Sequence, residues 1–250
     1  MIKIKSHSEI ENMKAAGRIV AETFELLKEA VKPGVSTLEL DEIAAKFIKK
    51  NNAVASFKNY NGYPKSICTS VNSQVVHGIP NRNTVLKNGD IISIDIGACY
   101  KGYHGDSAKT FGVGTISDEA KNLIDVTRQS FYEGIKSAVP GNRLYDISGS
   151  IQEYVESHGY SVVRALVGHG VGSELHESPE VPNFGTKGRG VRLISGMTLA
   201  IEPMVNMGTY HVNTLSDGWT VVTADGKLSA HYEHSVLISE NGCELLTVCR

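Results

Sequence analysis

Two stretches of the chain carry the same punctuation, and this restricts the fold more than any other feature. Pro33-Gly34 stands before one helical pattern and Pro140-Gly141 before another, an offset of 107 positions (34 to 141). At that offset Leu86 aligns with Leu193, Gly89 with Gly196, and Asp95 with Glu202. Self-similarity at a fixed offset implies one arrangement built twice. Ile91 to Gly97 alternates, with Ile92, Ile94 and Ile96 on one face and Ser93 and Asp95 on the other, the period of a half-buried strand. Met197 to Glu202 alternates in the same way, setting Met197, Leu199 and Ile201 against Thr198, Ala200 and Glu202. Two related α/β halves, roughly 1–125 and 126–250, then each place a carboxylate at the same point of a strand. The alternative is coincidence between two generic helix–turn–strand stretches.

Helical patterns lie ahead of both strands. Ser8 and Glu11 have capping-box spacing, and Ile10, Met13, Gly17, Val20, Phe24 and Leu27 recur in steps of three and four until Pro33-Gly34. Ser36 and Glu39 predict the cap of a second helix carrying Leu40, Ile43, Ala44, Phe47 and Ile48. A third helix is expected from about Asp118 to Lys136, and Asn142 opens a fourth with Ile147, Ile151, Tyr154 and Val155. Mixed helix and strand patterns indicate an α/β class, and 250 residues make one large domain or two fused half-domains.

A formal net charge of -2 supplies no global pull toward nucleic acid or an acidic membrane surface. The N-terminal MIKIKSHSEIENMK has no apolar core of a secretion signal, and no stretch approaches the ~20 apolar residues of a membrane helix. Cys68, Cys99, Cys243 and Cys249 form no C-x-x-C pair, which argues against a zinc finger or a thioredoxin-like site. Free thiols without a secretion signal suit a reducing cytoplasm, the expected location.

The chemistry lies in carboxylates and histidines. A hairpin centred on Tyr100-Lys101, with Gly102 supplying turn chemistry, sets Asp95 opposite Asp106. Opposed residues have Cβ atoms roughly 4.5–5.5 Å apart, so two carboxylates there repel. They need a shared proton, a basic partner or metal; otherwise they are two solvated groups on an exposed face. Glu202 reads as a mid-strand residue in Leu199-Ala200-Ile201-Glu202-Pro203, and Glu233 lies in Ala230-His231-Tyr232-Glu233-His234-Ser235-Val236. A glutamate in such an apolar run is seldom buried unless paired or bound to metal. His169 sits in Gly168-His169-Gly170-Val171-Gly172, His176 in Leu175-His176-Glu177-Ser178-Pro179, and His77 in Val76-His77-Gly78-Ile79-Pro80. His7, His104, His158, His211, His231 and His234 read as ordinary core or surface histidines. The four carboxylates carry about -4, which two divalent ions balance, and a hydroxide bridging such ions is a nucleophile available near pH ~7. Carboxylates with one imidazole suit Mn(II), Fe(II), Co(II) or Zn(II).

The ordered set Asp95, Asp106, His169, Glu202 and Glu233 resembles the ligand set of the methionine aminopeptidases of metallopeptidase family M24. The strings NGYPKSICTSVN, VVHGIP, NGDIISIDIGACYKGYHGDSAKTF, GHGVG, LHESP, GMTLAIEP and DGWTVVTADGKLSAHYEHSVLI resemble that family too, over essentially the whole chain. The likeness is to the short bacterial-type type I form. It implies an α/β pita-bread fold, a single catalytic domain of two pseudo-symmetric halves around a dimetal cleft. It further implies that Asp106 and Glu233 bridge both ions, that Asp95 completes one and that His169 and Glu202 complete the other. His77 and His176 then contact substrate, Glu202 shuttles a proton to the leaving amine, and Tyr60, Tyr63, Cys68 and Trp219 form the methionine pocket, with Phe57 at its edge. A monovalent cation on the backbone carbonyls of Asn72, Gln74 and Ser229 is a further family-level expectation.

The implied reaction is removal of the initiator methionine from nascent polypeptides when the second residue is small. The expected partners are polypeptide N-termini, with ribosome association following from their origin; no nucleic-acid motif and no membrane segment are seen, and a monomer is expected. Two rivals remain. Prolidases and aminopeptidases P share the five ligands but usually carry a large extra N-terminal domain. Non-catalytic pita-bread scaffolds typically lose ligands, whereas all five are present here.

Overall fold

A computed structural model describes residues 2–249 of the chain. Helix α1 (His7–Ala30) starts directly after Ser6, whose backbone N–H and hydroxyl both donate to the Glu9 carboxylate at 2.7 Å. The capping box is therefore Ser6/Glu9, not Ser8/Glu11. Lys5 is pinned just ahead of it by a backbone hydrogen bond to Gly196 (2.9 Å), so the helix can begin two residues sooner. Helix α2 (Thr37–Lys50) is capped by Ser36 and Glu39 as expected. These helices cover a sheet in which Ile91–Tyr100 is flanked by Val54–Ala55, Cys68–Val71 and its hairpin partner Tyr103–Gly112. Ile92, Ile94 and Ile96 share a core with Val20, Phe24, Leu27, Leu40 and Ile48.

The second half follows the same plan. Helices α3 (Asp118–Ile135) and α4 (Leu144–Ser157) share a core with a five-stranded sheet, ordered Gly242–Leu245, His234–Ser239, Thr198–Ile201, Gly168–Gly170, Glu177–Val181. Met197, Leu199 and Ile201 pack there with Leu123, Phe131, Ile147 and Ile151. Helix α4 opens one turn position later than Asn142. Asp146 accepts the Arg143 N–H at 2.7 Å, so Arg143 is the cap, and the Asn142 amide donates instead to Ser137 O.

The clasp between the turn ahead of the second helix of each half and the segment ahead of its strand is built twice. Gly34 N donates to Leu86 O (2.8 Å) and Gly141 N to Leu193 O (2.9 Å), while Leu86 N meets Val35 O and Leu193 N meets Asn142 O, both at 2.8 Å. The isolated bridges Ser36↔Val85 and Arg143↔Arg192 keep the same offset. Gly34 and Gly141 both have φ of +94°, a left-handed turn that excludes most other residues.

The alternating strands were expected to be half-buried, but both faces are covered. Ser93 and Thr198 are buried along with the isoleucines, because the polar face of the first sheet is turned toward the second half. Ser93 Oγ pairs with Thr110 Oγ1 (2.8 Å), which in turn exchanges hydrogen bonds of 2.9 Å with the backbone of His231. Next along this seam, Glu233 N donates to Ala108 O (2.8 Å), and Ser107 Oγ donates to Glu233 O. The seam between halves thus runs through the residues flanking Asp106 and Glu233. Among the described residues no helix is long and apolar enough to cross a membrane.

Candidate metal centre

The hairpin of the first sheet turns at Lys101-Gly102, one residue later than expected. Both have positive φ (+48° and +81°), which a tight two-residue hairpin requires and which favours glycine at the second position. Tyr100 therefore pairs with Tyr103, Gly97 faces Asp106, and Asp95 faces Ala108. The register is displaced by two, and a shift of two keeps every side chain on its original face. Asp95 and Asp106 become diagonal rather than direct neighbours, still near enough for the Asp106 charge to push the Asp95 carboxyl up.

Glu202 is not mid-strand. The strand ends at Ile201, and Pro203, which has no N–H for a ladder, separates it from Met204–Asn206. Glu233 likewise sits between Ser229–His231 and His234–Ser239. Ile201 pairs with His234 and Met204 with His231, so the register across the gap sets Glu202 opposite Glu233. Each glutamate occupies a break in its ladder, where the side chain is free to turn into the cleft.

His169 comes from the short strand Gly168–Gly170. Its Nδ1 lies 2.8 Å from Gly170 O. A carbonyl only accepts, so Nδ1 carries the proton and Nε2 is left as a lone-pair donor, the tautomer a metal needs. Nε2 lies 3.8 Å from Asp106 Oδ2 and 3.7 Å from Glu202 Oε1, too far for hydrogen bonds but a spacing an ion could fill. Ligating atoms of Asp106, His169 and Glu233 all lie within 4.8 Å of one another. Asp95 Oδ1, Asp106 Oδ1 and Glu233 Oε1 are buried with no hydrogen-bond partner among the described residues. Burial, then mutual repulsion, pushes the carboxyls of Asp95, Glu202 and Glu233 well above their ordinary range, and burial raises Asp106 to about 7. Burial also holds His169 neutral, down to about 3. Buried oxygens without donors, crowded like charges and a bare imidazole nitrogen fit divalent cations with oxygen and nitrogen ligands.

Around this cluster is a cavity of about 370 Å³. Phe57, Tyr63, Cys68 and Leu175 are buried together in its wall, with Tyr60, Ile79 and Trp219 packed against them. Tyr63 meets Trp219 edge-on at 5.1 Å and turns its hydroxyl away, to Ile67 O and Gly78 O. The cavity face is therefore apolar. His77 enters with φ of +59°, a costly conformation for a non-glycine residue of the kind that clusters at functional sites. Burial lowers its pKa to about 4. His176 lies with its ring 4.1 Å from that of His169 and its Nδ1 2.7 Å from the Tyr60 hydroxyl.

Asp95, Asp106, His169, Glu202, Glu233, His77, His176, Tyr60, Tyr63, Cys68, Trp219 and Phe57 thus all line one cavity. Asn72 and Ser229 are adjacent on a neighbouring face, where Ser229 N donates to Asn72 O at 3.0 Å, while Gln74 pairs with Val222. Sequence reasoning missed Leu175, Met204 and His231. His231 is fully buried, and its Nε2 has no hydrogen-bond partner among the described residues and stands 3.6 Å from Glu202 Oε2. Its place two residues before Glu233, in the strand that leads to that glutamate, was the available signal.

Comparison with known proteins follows the same line. The profile of metallopeptidase family M24 matches residues 11–240. A methionine aminopeptidase of Clostridium acetobutylicum is 61% identical, over 100% of both chains. Methionine aminopeptidase 1 of Bacillus subtilis is 58% identical over 99% of each. The crystal structure of a methionine aminopeptidase from Thermotoga maritima superposes with a TM-score of 0.98 at 49% identity, covering 99% of this chain and 100% of that one.

Proposed function

The chain belongs to metallopeptidase family M24 and, within it, to the methionine aminopeptidases; from that premise we propose that it excises the initiator methionine from nascent polypeptides whose second residue is small. Its two helix-covered sheets around the cleft are the pita-bread arrangement. The observation that carries the reading is the cluster of unpartnered buried carboxylate oxygens beside an apolar pocket. In this reading Asp106 and Glu233, with Asp95 on one side and His169 and Glu202 on the other, would hold two divalent ions. Such ions supply Lewis acidity and lower the pKa of bound water toward ~7.

The remaining work falls to the chain's own groups. Glu202 turns into the cleft with Oε1 3.7 Å from His169 Nε2, a place from which its carboxylate can take a proton from the attacking water and release it to the leaving amine. His77 and His176 are held neutral, chiefly by burial. If His176 Nδ1 accepts from Tyr60, its Nε2–H is the donor available to a developing oxyanion. The apolar cup then receives the first side chain. Burying a methionine there contributes about 1.5–3 kcal/mol, and sulfur over the Tyr63 and Trp219 rings adds roughly 0.3–1.5 kcal/mol. A monovalent cation near Asn72, Gln74 and Ser229, a monomeric cytoplasmic enzyme and work close to the ribosome complete the proposal.

The test is turnover of Met-Ala-Ser against Ala-Pro peptides, with and without Mn(II) or Co(II). Metal-dependent release of methionine from the first alone supports the reading. Preferred cleavage of the Ala-Pro peptide would replace it with a prolidase-type activity, and no turnover of either with a scaffold role.

A further inference from the structure

The loop that presents His176 is held by the opposite end of the chain. Glu177, the residue after His176, receives the Lys5 ammonium on Oε2 at 2.6 Å, and both side chains are only 4% exposed. Its other oxygen accepts from Lys3 Nζ, Ser173 Oγ and Glu174 N, each at 3.3 Å. Lys5 is fixed in turn by a hydrogen bond from its own Nζ to Lys3 O (3.2 Å) and by its backbone N–H to Gly196 O. The arm from Lys3 to Lys5 is thus stitched to residues 173–177.

The last glycine of the GHGVG motif is explained by the same contact. A Cβ on Gly172 would lie 2.5 Å from Lys5 Cε and 2.7 Å from Glu177 Oε1, so any larger residue there would push the ion pair out of its present place. Gly172 also joins the loop to the first half, since its carbonyl accepts His104 N at 2.9 Å. Burial acts to raise the Glu177 carboxyl, but hydrogen bonds from Lys5 and Glu174 N outweigh it and hold the group below its ordinary value, ionised and paired. Removing one partner of such a pair leaves an uncompensated charge in the wall of the cleft.

We propose that Lys5 is a positioning residue, which, through its buried ion pair with Glu177, sets the place of the His176 imidazole over the substrate. The inference rests on the reading of His176 as a substrate contact. Tyr60 fixes one end of the His176 ring, and the Lys5–Glu177 pair fixes the backbone it hangs from.

A double-mutant cycle with the metal-loaded full chain tests it, using Met-Ala-Ser. Lys5→Met keeps the stem and removes the charge. Displacement of a substrate-contacting group by about 1 Å can cost ~10²-fold, so kcat/KM should fall by roughly 10- to 100-fold, with kcat falling alongside it. Metal content by elemental analysis should stay at the wild-type value. Lys5→Arg should recover part of the loss, and Lys3→Met, at the exposed end of the network, should cost under about 3-fold. In a His176→Ala background, Lys5→Met should add no further loss, because coupled residues are not additive. Glu177→Gln repeats the cycle should Lys5→Met fail to fold. Full additivity, or wild-type kinetics in Lys5→Met while His176→Ala is impaired, overturns the inference and leaves the proposed function standing. Wild-type kinetics in His176→Ala overturns the reading of His176 on which it depends.

Discussion

Asp106→Asn separates the metal reading from simple damage to the fold. Asparagine has nearly the shape of aspartate and carries no charge, and Asp106 is 3% exposed with Oδ1 unpartnered. Two charges about 4 Å apart interact by about 4 kcal/mol at an effective dielectric constant of about 20. That distance is the scale of this site, where Asp106 Oδ2 stands 3.8 Å from His169 Nε2. Loss of the carboxylate removes about twice that attraction for a divalent ion; relief of repulsion on Asp95, Glu202 and Glu233 offsets part of it, and with about half offset the net weakening is about 4 kcal/mol. This corresponds to roughly a 10³-fold rise in metal Kd. The apo protein should respond in the opposite direction. Burial raises Asp106 to about 7, so the folded apo protein holds this proton more tightly than the unfolded chain. Stability is then lost as pH rises toward about 7, and asparagine removes that loss. At pH 8 without metal, Asp106→Asn should melt no lower than the wild type. With Mn(II), it should show weakened binding by titration calorimetry and no aminopeptidase turnover. Two tightly bound ions with near-normal turnover would refute the reasoning, and a lower apo melting temperature would mean that Asp106 serves the fold.

Three other outcomes are expected. Because the four carboxyls are raised, chiefly by burial, Mn(II) binding at pH 6.5 should release protons; calorimetry in two buffers of different ionisation enthalpy measures this, and proton-neutral binding would count against the site. In a Met-X-Ser series, turnover should fall as X grows from Gly and Ala through Val to Leu and Arg, and equal cleavage of Met-Ala-Ser and Lys-Ala-Ser would remove the pocket assignment, since a charged side chain is costly to bury there. The Cys68 thiol is pushed well above its ordinary value by burial and by Asp95, so it should resist iodoacetamide at pH 8 until the chain unfolds, as mass spectrometry would show; rapid alkylation of the native protein would contradict its burial.

Periodicity alone revealed the helices and the two strands, because apolar spacing reports the face that a core will cover. Their ends were less legible. Ser6/Glu9 and Ser8/Glu11 are both sound caps locally, and the choice came from Lys5, tied to Gly196 far along the chain. The sequence pattern sets the hairpin centre one residue early, because Gly102 is one of the two left-handed turn positions rather than a neighbour of the turn. That error moved the register by two and so left Asp95 and Asp106 on one face.

The chain's residue types, order and spacing already determined the α/β plan repeated at an offset of 107 and the identity of the acidic and histidine residues with metal-ligand chemistry. Their convergence was decided only in three dimensions. Glu202 faces Glu233 because two ladders break at the same register, and Asp106 joins them because Ala108 and Glu233 exchange hydrogen bonds across the seam. His231 reads in sequence as an ordinary histidine and becomes a neighbour of Glu202 through burial. Lys5, which no motif singles out, becomes half of a buried ion pair with Glu177, 172 positions away. Local propensity acts over a few residues, whereas pairing across a seam depends on long-range contacts that no local pattern encodes.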